Sequence, residues 1–250
     1  MMIRLLSLLL LIALPAQAQE EIVLGLSKDE VAINTTFNGS EILIFGAIRR
    51  DSPEPEGDIG VIVTVAGPDT PVTVWRKERR VGIWVNIDGV EIAAAPSFYA
   101  VASSAALSDV LRPSQDLLNR ITIPQVVREV GTNVLDSKSF ARALVRIRSG
   151  SDQYQLLESA VSLTRNTLFE TRVALPANLT EGDYLATIYL TRNGDVVDTY
   201  MRTIPVKKVG LERWLYNLAH ENAVLYGLMS LAIAIAAGWG ASAIFGLFRR

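Results

Sequence analysis

Cysteine is absent from the 250 residues, and His220 is the only histidine. The absence of thiols excludes disulfides, thiolate metal sites and a cysteine nucleophile. A zinc site would need carboxylates alone, which is an unusual ligand set. Glycine-rich phosphate loops and nucleophile elbows are also missing. We therefore expect no enzymatic activity and no metal or cofactor; a carboxylate pair formed only in the folded chain, as in glycosidases, is the catalytic alternative.

An excess of positive charge is missing as well. The chain has 24 lysine and arginine residues against 26 acidic ones, which gives a net charge of −2. Omitting the apolar ends, residues 1–18 and 223–250, removes only Arg4, Arg249 and Arg250 and leaves 21 basic against 26 acidic groups. This acidic middle part is not typical of a nucleic-acid-binding protein, so we expect no nucleic-acid partner.

Residues 1–18 have the pattern of a secretory signal peptide. One arginine precedes an apolar run of about ten residues, which is too short to span a bilayer. Pro15 follows, and then Ala16-Gln17-Ala18 places small residues at the spacing of a signal-peptidase site. We expect cleavage after Ala18; an uncleaved anchor with the same orientation is the alternative.

A second apolar segment, residues 223–248, contains no charged side chain and precedes Arg249 and Arg250. A helix of this length extends about 39 Å, which exceeds the roughly 30 Å thickness of the hydrocarbon core. The segment is therefore predicted to be a transmembrane helix. With the signal peptide it predicts a type I single-pass protein of the bacterial inner (plasma) membrane, with residues 19–208 in the periplasm and residues 249–250 as a cytoplasmic tail.

Short β-branched segments dominate the first hundred residues and return after the middle of the chain. The predicted strands are residues 22–26, 31–36, 42–48, 59–66, 72–77, 81–87, 90–94, 159–164, 168–175, 182–191 and 196–206. Apolar residues at alternate positions of 81–87 predict a half-buried strand. The predicted hairpin turns are Asn38-Gly39, Asp88-Gly89 and Asn193-Gly194. The predicted fold class is mainly β, an immunoglobulin-like β-sandwich.

A helical insertion interrupts the strands at residues 103–150. Its predicted helices are residues 105–111, 114–120 and 136–149. In the last helix Phe140, Leu144 and Ile147 recur at helical spacing and predict the buried face. The basic side chains predicted to lie in solvent are Lys138, Arg142, Arg146 and Arg148. One sandwich that combines strands from both sides of the insertion is preferred, and two stacked β domains are the alternative.

Two charged segments are predicted to be surface connections. Residues 51–58 place four carboxylates at a solvated hairpin end, and their spacing differs from that of a calcium-binding loop. Residues 76–80, Arg-Lys-Glu-Arg-Arg, are predicted to form a charged turn between two strands. Neither segment is therefore expected to bind a ligand.

The candidate interaction residues lie near the C-terminus. Residues 209–222 are predicted to form an amphipathic juxtamembrane helix at the level of the lipid headgroups. The predicted interfacial anchors are Trp214, Tyr216, Arg249 and Arg250. Small residues four positions apart predict a helix-packing face in the span, with Ala232, Ala236 and Gly240 in one row and Ala234 and Gly238 in another. Plain anchoring without a partner helix is the alternative.

Several short motifs occur in order along nearly the whole chain. They are residues 32–39 (AINTTFNG), 45–47 (FGA), 84–86 (WVN), 96–99 (PSFY), 140–144 (FARAL), 175–176 (LP), 182–184 (GDY) and 226–228 (YGL). With these motifs the chain resembles the alphaproteobacterial family of predicted transmembrane proteins known as Alph_Pro_TM. The resemblance implies a signal peptide, an exported domain and one C-terminal span, and it implies no activity. It also implies an anion-exporter-like permease as the candidate partner.

These features together predict a non-enzymatic accessory or scaffold module for another inner-membrane protein, such as a transporter. Open sheet edges, like that of the predicted hairpin strand 196–206, offer backbone groups to which a partner strand can pair. The alternative is an exported ligand-binding or hydrolytic domain that uses the helix only as a tether. The expected partners are therefore the lipid bilayer and a second membrane protein.

Overall fold

The computed structural model describes residues 20–28, 30–33, 37–51, 53–127, 137–208 and 211–248. The predicted signal peptide with its cleavage site, and the terminal pair Arg249 and Arg250, lie outside these residues. Strands predominate over helices, and one long apolar helix follows the β domain near the C-terminus. The mainly β fold class is thus confirmed.

The described residues form twelve strands and six helices. The strands are β1 (Glu20–Leu26), β2 (Val31–Ile33), β3 (Ser40–Arg50), β4 (Ile59–Ala66), β5 (Asp69–Arg80), β6 (Ile83–Pro96), β7 (Tyr99–Ser103), β8 (Tyr154–Leu157), β9 (Ser162–Thr164), β10 (Leu168–Leu175), β11 (Gly182–Arg192) and β12 (Asp195–Lys208). The helices are α1 (Leu107–Val110), α2 (Pro113–Asn119), α3 (Ile123–Val126), α4 (Ser137–Ser149), α5 (Leu211–Glu221) and α6 (Ala223–Phe248). The first two predicted helices of the insertion correspond to α1 and α2.

Two sheets make up the body of the domain, and the long hairpin β5–β6 forms a separate two-stranded sheet. The four-stranded sheet has the order β1-β3-β10-β9, and the six-stranded sheet has the order β2-β12-β11-β4-β7-β8. Neighbouring strands are antiparallel except in the pairs β2–β12 and β7–β8. Both sheets combine strands from before and after the helical insertion, which is the strand sharing that a composite sandwich requires.

Two apolar cores explain why some strands alternate in burial and others do not. One core, between the two sheets, includes Ile44, Phe169 and Ile188. The second core includes Ile62 and Leu144 and joins the other face of the six-stranded sheet to the β5–β6 hairpin and the helices. β10 therefore alternates between exposed and buried residues. β11 is covered on both faces and is buried without interruption over its last seven residues.

The β5–β6 hairpin contradicts two turn predictions. Residues 76–80 are the end of β5 rather than a turn, and the predicted Asp-Gly turn at residues 88–89 lies inside β6. The actual turn is formed by Val81 and Gly82, whose φ values are 50° and 86°. The glycine of the Asp-Gly pair has another role, since a Cβ there would lie 2.9 Å from the ring of Trp75. It is a site of close approach within a strand.

The predicted half-burial of residues 81–87 is also wrong. Val81, Ile83 and Ile87, which belong to the alternating apolar positions, are all exposed. Buried residues in this hairpin end at Val74 in β5 and begin again at Val90 in β6. Alternation of apolar and polar residues indicates a strand, but a side chain is buried only where another element packs over it. The end of this hairpin extends beyond the core, so its apolar side chains stay exposed.

Two other connections link the sheets instead of closing hairpins. Asn38-Gly39 precedes β3 in the four-stranded sheet, whereas β2 belongs to the six-stranded sheet. The segment 51–58 likewise leads from β3 to β4 in the other sheet, so it is not a hairpin end. Asn193-Gly194, in contrast, joins β11 to β12 as predicted. A turn dipeptide favours a local reversal, but it does not determine which strands pair.

Helix α4 buries Phe140 and Leu144 as predicted, but the third predicted position, Ile147, is 60 % exposed. Its neighbour Arg148 is only 8 % exposed, although it was predicted to lie in solvent. Its guanidinium group donates hydrogen bonds to Pro96 and Tyr154 inside the domain, which allows an arginine to take the buried position. Strand β8, directly after this helix, was not predicted.

Candidate interaction surfaces and buried charges

Helix α6 is the candidate membrane span. Residues Ala223–Ala241 have a mean hydropathy of 1.7, and none of this segment is buried against the rest of the described chain. A helix that is apolar on all sides is ordinarily covered, either by a protein core or by lipid. Because the β domain does not cover α6, its length and composition indicate a lipid environment.

All five small residues of the predicted packing face lie in the described part of α6. On a helix with 3.6 residues per turn, the row of Ala232, Ala236 and Gly240 lies roughly opposite the row of Ala234 and Gly238. A Cβ added at either glycine would meet no heavy atom within 4 Å. The backbone is therefore open to close approach on two sides, and the packing of a partner helix stays a prediction.

Helix α5 occupies the predicted juxtamembrane segment and exposes both Trp214 and Tyr216. The rings of Tyr216 and His220 stack with their centroids 4.0 Å apart. Nδ1 of His220 lies 2.8 Å from the carbonyl oxygen of Tyr216. The histidine is thus engaged within its own helix. The interfacial role of the two aromatic side chains stays a prediction, and the other two predicted anchors, Arg249 and Arg250, lie outside the described residues.

A buried charge cluster that the sequence analysis missed lies at the start of β1. The carboxylate of Glu20 accepts hydrogen bonds from Nε of Arg50 at 2.6 Å and from Nη2 of Arg192 at 2.8 Å. The side chains of Glu20, Arg50 and Arg192 are 5 %, 13 % and 9 % exposed. Nη1 of Arg192 also donates to the carbonyl oxygens of Pro55 and Gly57. The cluster ties β1, β3, β11 and the β3–β4 connection together.

The two guanidinium groups determine the protonation of the acid between them. Burial opposes ionisation of Glu20, but the hydrogen bonds and positive charges of Arg50 and Arg192 outweigh burial and hold the pKa below its ordinary value of 4.5. An acid with a lowered pKa stabilises the fold above its unfolded pKa, and this contribution is lost as the pH falls through the folded pKa.

Glu20→Gln is therefore expected to remove part of the acid sensitivity of the fold. In wild-type protein the free energy of unfolding should fall as the pH drops below about 4.5, and the variant should lack the share that comes from Glu20. Urea unfolding of the full chain in detergent, repeated over a pH series, measures the difference. Identical pH profiles for the two proteins would contradict the assigned pKa direction.

A second buried polar cluster joins α4 to the base of the β5–β6 hairpin. Nη1 of Arg148 donates to the carbonyl oxygen of Pro96 and to the hydroxyl oxygen of Tyr154. The Tyr154 hydroxyl donates in turn to the Pro96 carbonyl at 2.9 Å. Burial raises the pKa of Tyr154, although the charge of Arg148 opposes the increase. The buried side chains of this cluster hold the helix against the sheet.

Two shallow depressions lie on the described surface. The larger, of about 470 Å³, is on the outer face of the four-stranded sheet, and Phe45 and Leu168 are among its apolar lining. The smaller, of about 270 Å³, is lined by Asp69, Asp183 and Arg120 among others. No group of three or more metal-ligating side chains occurs in the described residues. Two carboxylate residues from distant segments, Asp69 and Asp183, therefore line the smaller depression.

A comparison with protein families finds a match over most of the chain. A family model described as "Putative transmembrane protein (Alph_Pro_TM)" matches residues 21–246. The chain belongs to this family. The match extends from β1 through most of α6, so it includes both the β domain and the candidate membrane helix. No curated protein matches the chain.

The Alph_Pro_TM domain leaves part of one sheet edge open. β12 pairs with β11 along its length, but on its other side it pairs with β2 only over its last three residues. Near its start the backbone N–H of Ile22 donates to the Asp198 side chain at 2.9 Å, so β1 covers that part. Between these contacts Met201 is exposed. The predicted edge therefore exists, and strand pairing by a partner stays a prediction.

Proposed function

We propose that this Alph_Pro_TM protein is a non-enzymatic accessory or scaffold subunit that α6 holds beside another inner-membrane protein, a transporter such as an anion-exporter-like permease. In this proposal the signal peptide is removed and the β domain, an immunoglobulin-like sandwich, faces the periplasm. The C-terminal residues 249–250 then face the cytoplasm. The supporting observation is the pair of uncovered small-residue rows on α6.

Rows of small residues on a membrane helix are typical of contacts with a second helix. In lipid, helices associate through close packing and hydrogen bonds, so small residues that allow the backbones to approach mark the contact. Helix α6 contains no Asp, Glu, Lys, Arg or His, so it offers no ion path of its own. Two residues separate the end of β12 from α5, which keeps the β domain close to the bilayer and to a partner's outer surface.

Ala236→Leu is expected to lower the amount of membrane protein that copurifies with the full chain in mild detergent by roughly fivefold or more. The added side chain would hold a second helix away from the backbone of this row. Gly238→Leu tests the opposite row in the same way. Ala237→Leu is the matched control, because this residue lies between the two rows, about 100° from Ala236.

The measurement is quantitative mass spectrometry of the purified complex after gentle solubilisation. Recovery of the wild-type chain as a clean monomer, or equal partner yields from the row variants and the Ala237→Leu control, would refute the packing role of α6.

The ligand-binding alternative is favoured by one observation, the depression lined by Asp69, Asp183 and Arg120. If the helix is only a tether, residues 19–208 released from the anchor should still complement a deletion strain. The accessory proposal expects the released domain to fail and the anchored chain to succeed. Asp183→Asn separates the two further, because only the ligand-binding role should be sensitive to it.

A further inference from the structure

The tip of the β5–β6 hairpin, residues 75–89, exposes large apolar side chains beside basic ones. Trp75, Ile83 and Trp84 are 54 %, 65 % and 68 % exposed, and Val81 is fully exposed. The tip carries a net charge of +2 on a chain whose net charge is −2. Its four basic and two acidic residues are Arg76, Lys77, Arg79, Arg80, Glu78 and Asp88.

The strand register gathers aromatic and basic side chains on one face of this tip. Arg79 lies directly opposite Trp84, and side chains of directly opposed residues share a face. Alternation along β5 places Lys77 and Trp75 on that same face, while Val74 points to the buried side. Within the described part of the chain, Lys77 and Arg79 form no ion pair. Their charges are therefore available to an external anion.

Both the backbone conformation and the exposure of Val81 are unfavourable for the stability of the isolated domain. Its φ of 50° lies in the left-handed region, where a β-branched residue is strained and glycine or asparagine is preferred. Its side chain is also completely exposed, so no burial compensates for the strain. Residues with a strained backbone are found preferentially at functional sites and ligand contacts. An apolar surrounding outside the domain would be such a contact.

We propose that the hairpin tip inserts into the interface of a bilayer that contains anionic lipids. Val81, Ile83 and Trp84 enter between the headgroups, since tryptophan and aliphatic side chains favour that depth. Lys77 and Arg79 remain at the lipid phosphates, because long basic side chains extend along apolar surface while their charges stay in the polar layer. This contact does not depend on the partner of α6, and it would fix the orientation of the β domain on the membrane.

The absence of cysteine makes this proposal directly testable in the full-length chain. Ile83→Cys provides a single attachment site for a spin label in protein reconstituted into nanodiscs of phosphatidylcholine, with or without phosphatidylglycerol. With the anionic lipid the label should become accessible to oxygen in the bilayer and shielded from a water-soluble nickel complex. Leu118→Cys on α2, where the native side chain is 76 % exposed, should report water in both lipid mixtures.

Two further variants distinguish lipid insertion from misfolding. In the labelled background, Lys77→Gln combined with Arg79→Gln should lower the insertion equilibrium constant on the order of 30-fold. Val81→Asn should reduce insertion while raising the Tm of the domain, because asparagine relieves the strained turn. A label at position 83 that stays in water in both lipid mixtures would overturn the proposal.

Discussion

Replacing Glu20 with alanine is expected to lower the free energy of unfolding by about 3–5 kcal/mol, because the buried Arg192 would lose its carboxylate and Arg50 would lose the nearer of two, keeping Glu54 at 3.8 Å. Arg50 and Arg192 both direct hydrogen bonds at this one acid. Arg192 would keep two backbone carbonyl acceptors, but its charge would have no counterion in the cluster. Since whole domains are stable by only about 5–15 kcal/mol, the loss would be a large fraction of the total.

Glu21→Ala is the matched control for this experiment. Glu21 is the next residue of β1 and pairs with Arg49 at 3.2 Å, but its side chain is 56 % exposed. An exposed pair of this kind contributes about 0–1 kcal/mol. Urea unfolding of both variants, followed by circular dichroism, compares them directly. An equal decrease in the free energy of unfolding in the two variants would show that the burial of Glu20 does not cause the destabilisation.

Gly46→Ala is expected to destabilise the four-stranded sheet by about 3 kcal/mol, the upper end of the range for overpacking. A Cβ at this position would lie 2.5 Å from the carbonyl oxygen of Val23 and 2.5 Å from the ring of Phe169. The carbonyl is held by the β1–β3 ladder, so it has little freedom to move. Gly150→Ala is the control, because its nearest contact would be an ordinary 3.4 Å. Similar melting temperatures for the two variants would contradict this packing.

Strand positions could be predicted where the order of apolar and polar residues within one segment matches the burial of that segment in the fold. The predictions 168–175 and 59–66 coincide with β10 and β4, one alternating and the other continuously apolar. The Asn-Gly turn at 193–194 was correct and the Asp-Gly turn at 88–89 was wrong, although the local preference is the same. In the folded chain Gly89 of the Asp-Gly pair lies opposite Trp75 of β5, and the indole ring covers it. Such cross-strand contacts leave no mark in a local window of sequence.

The long apolar helix α6, the candidate membrane span, could be predicted from sequence for a similar reason, whereas the buried charges could not. The rows of small residues on α6 could be predicted because any α-helix places residues four positions apart on the same side. Arg192 and Arg148, in contrast, look like ordinary surface charges in sequence. Their burial depends on Glu20, Pro96 and Tyr154, and only the folded chain brings these residues together.

The contact between Glu20 and Arg192 joins positions 172 residues apart, so the first strand, β1, meets β11, which is the next-to-last strand of the domain. A nascent chain that emerges from its N-terminus cannot complete this closure until nearly the whole domain has been released. Long-range pairing of this kind slows folding and prolongs the exposure of unpaired strands. The protein is therefore expected to depend on chaperones while it is being synthesised, and to reach its final form only when the membrane helix is about to emerge.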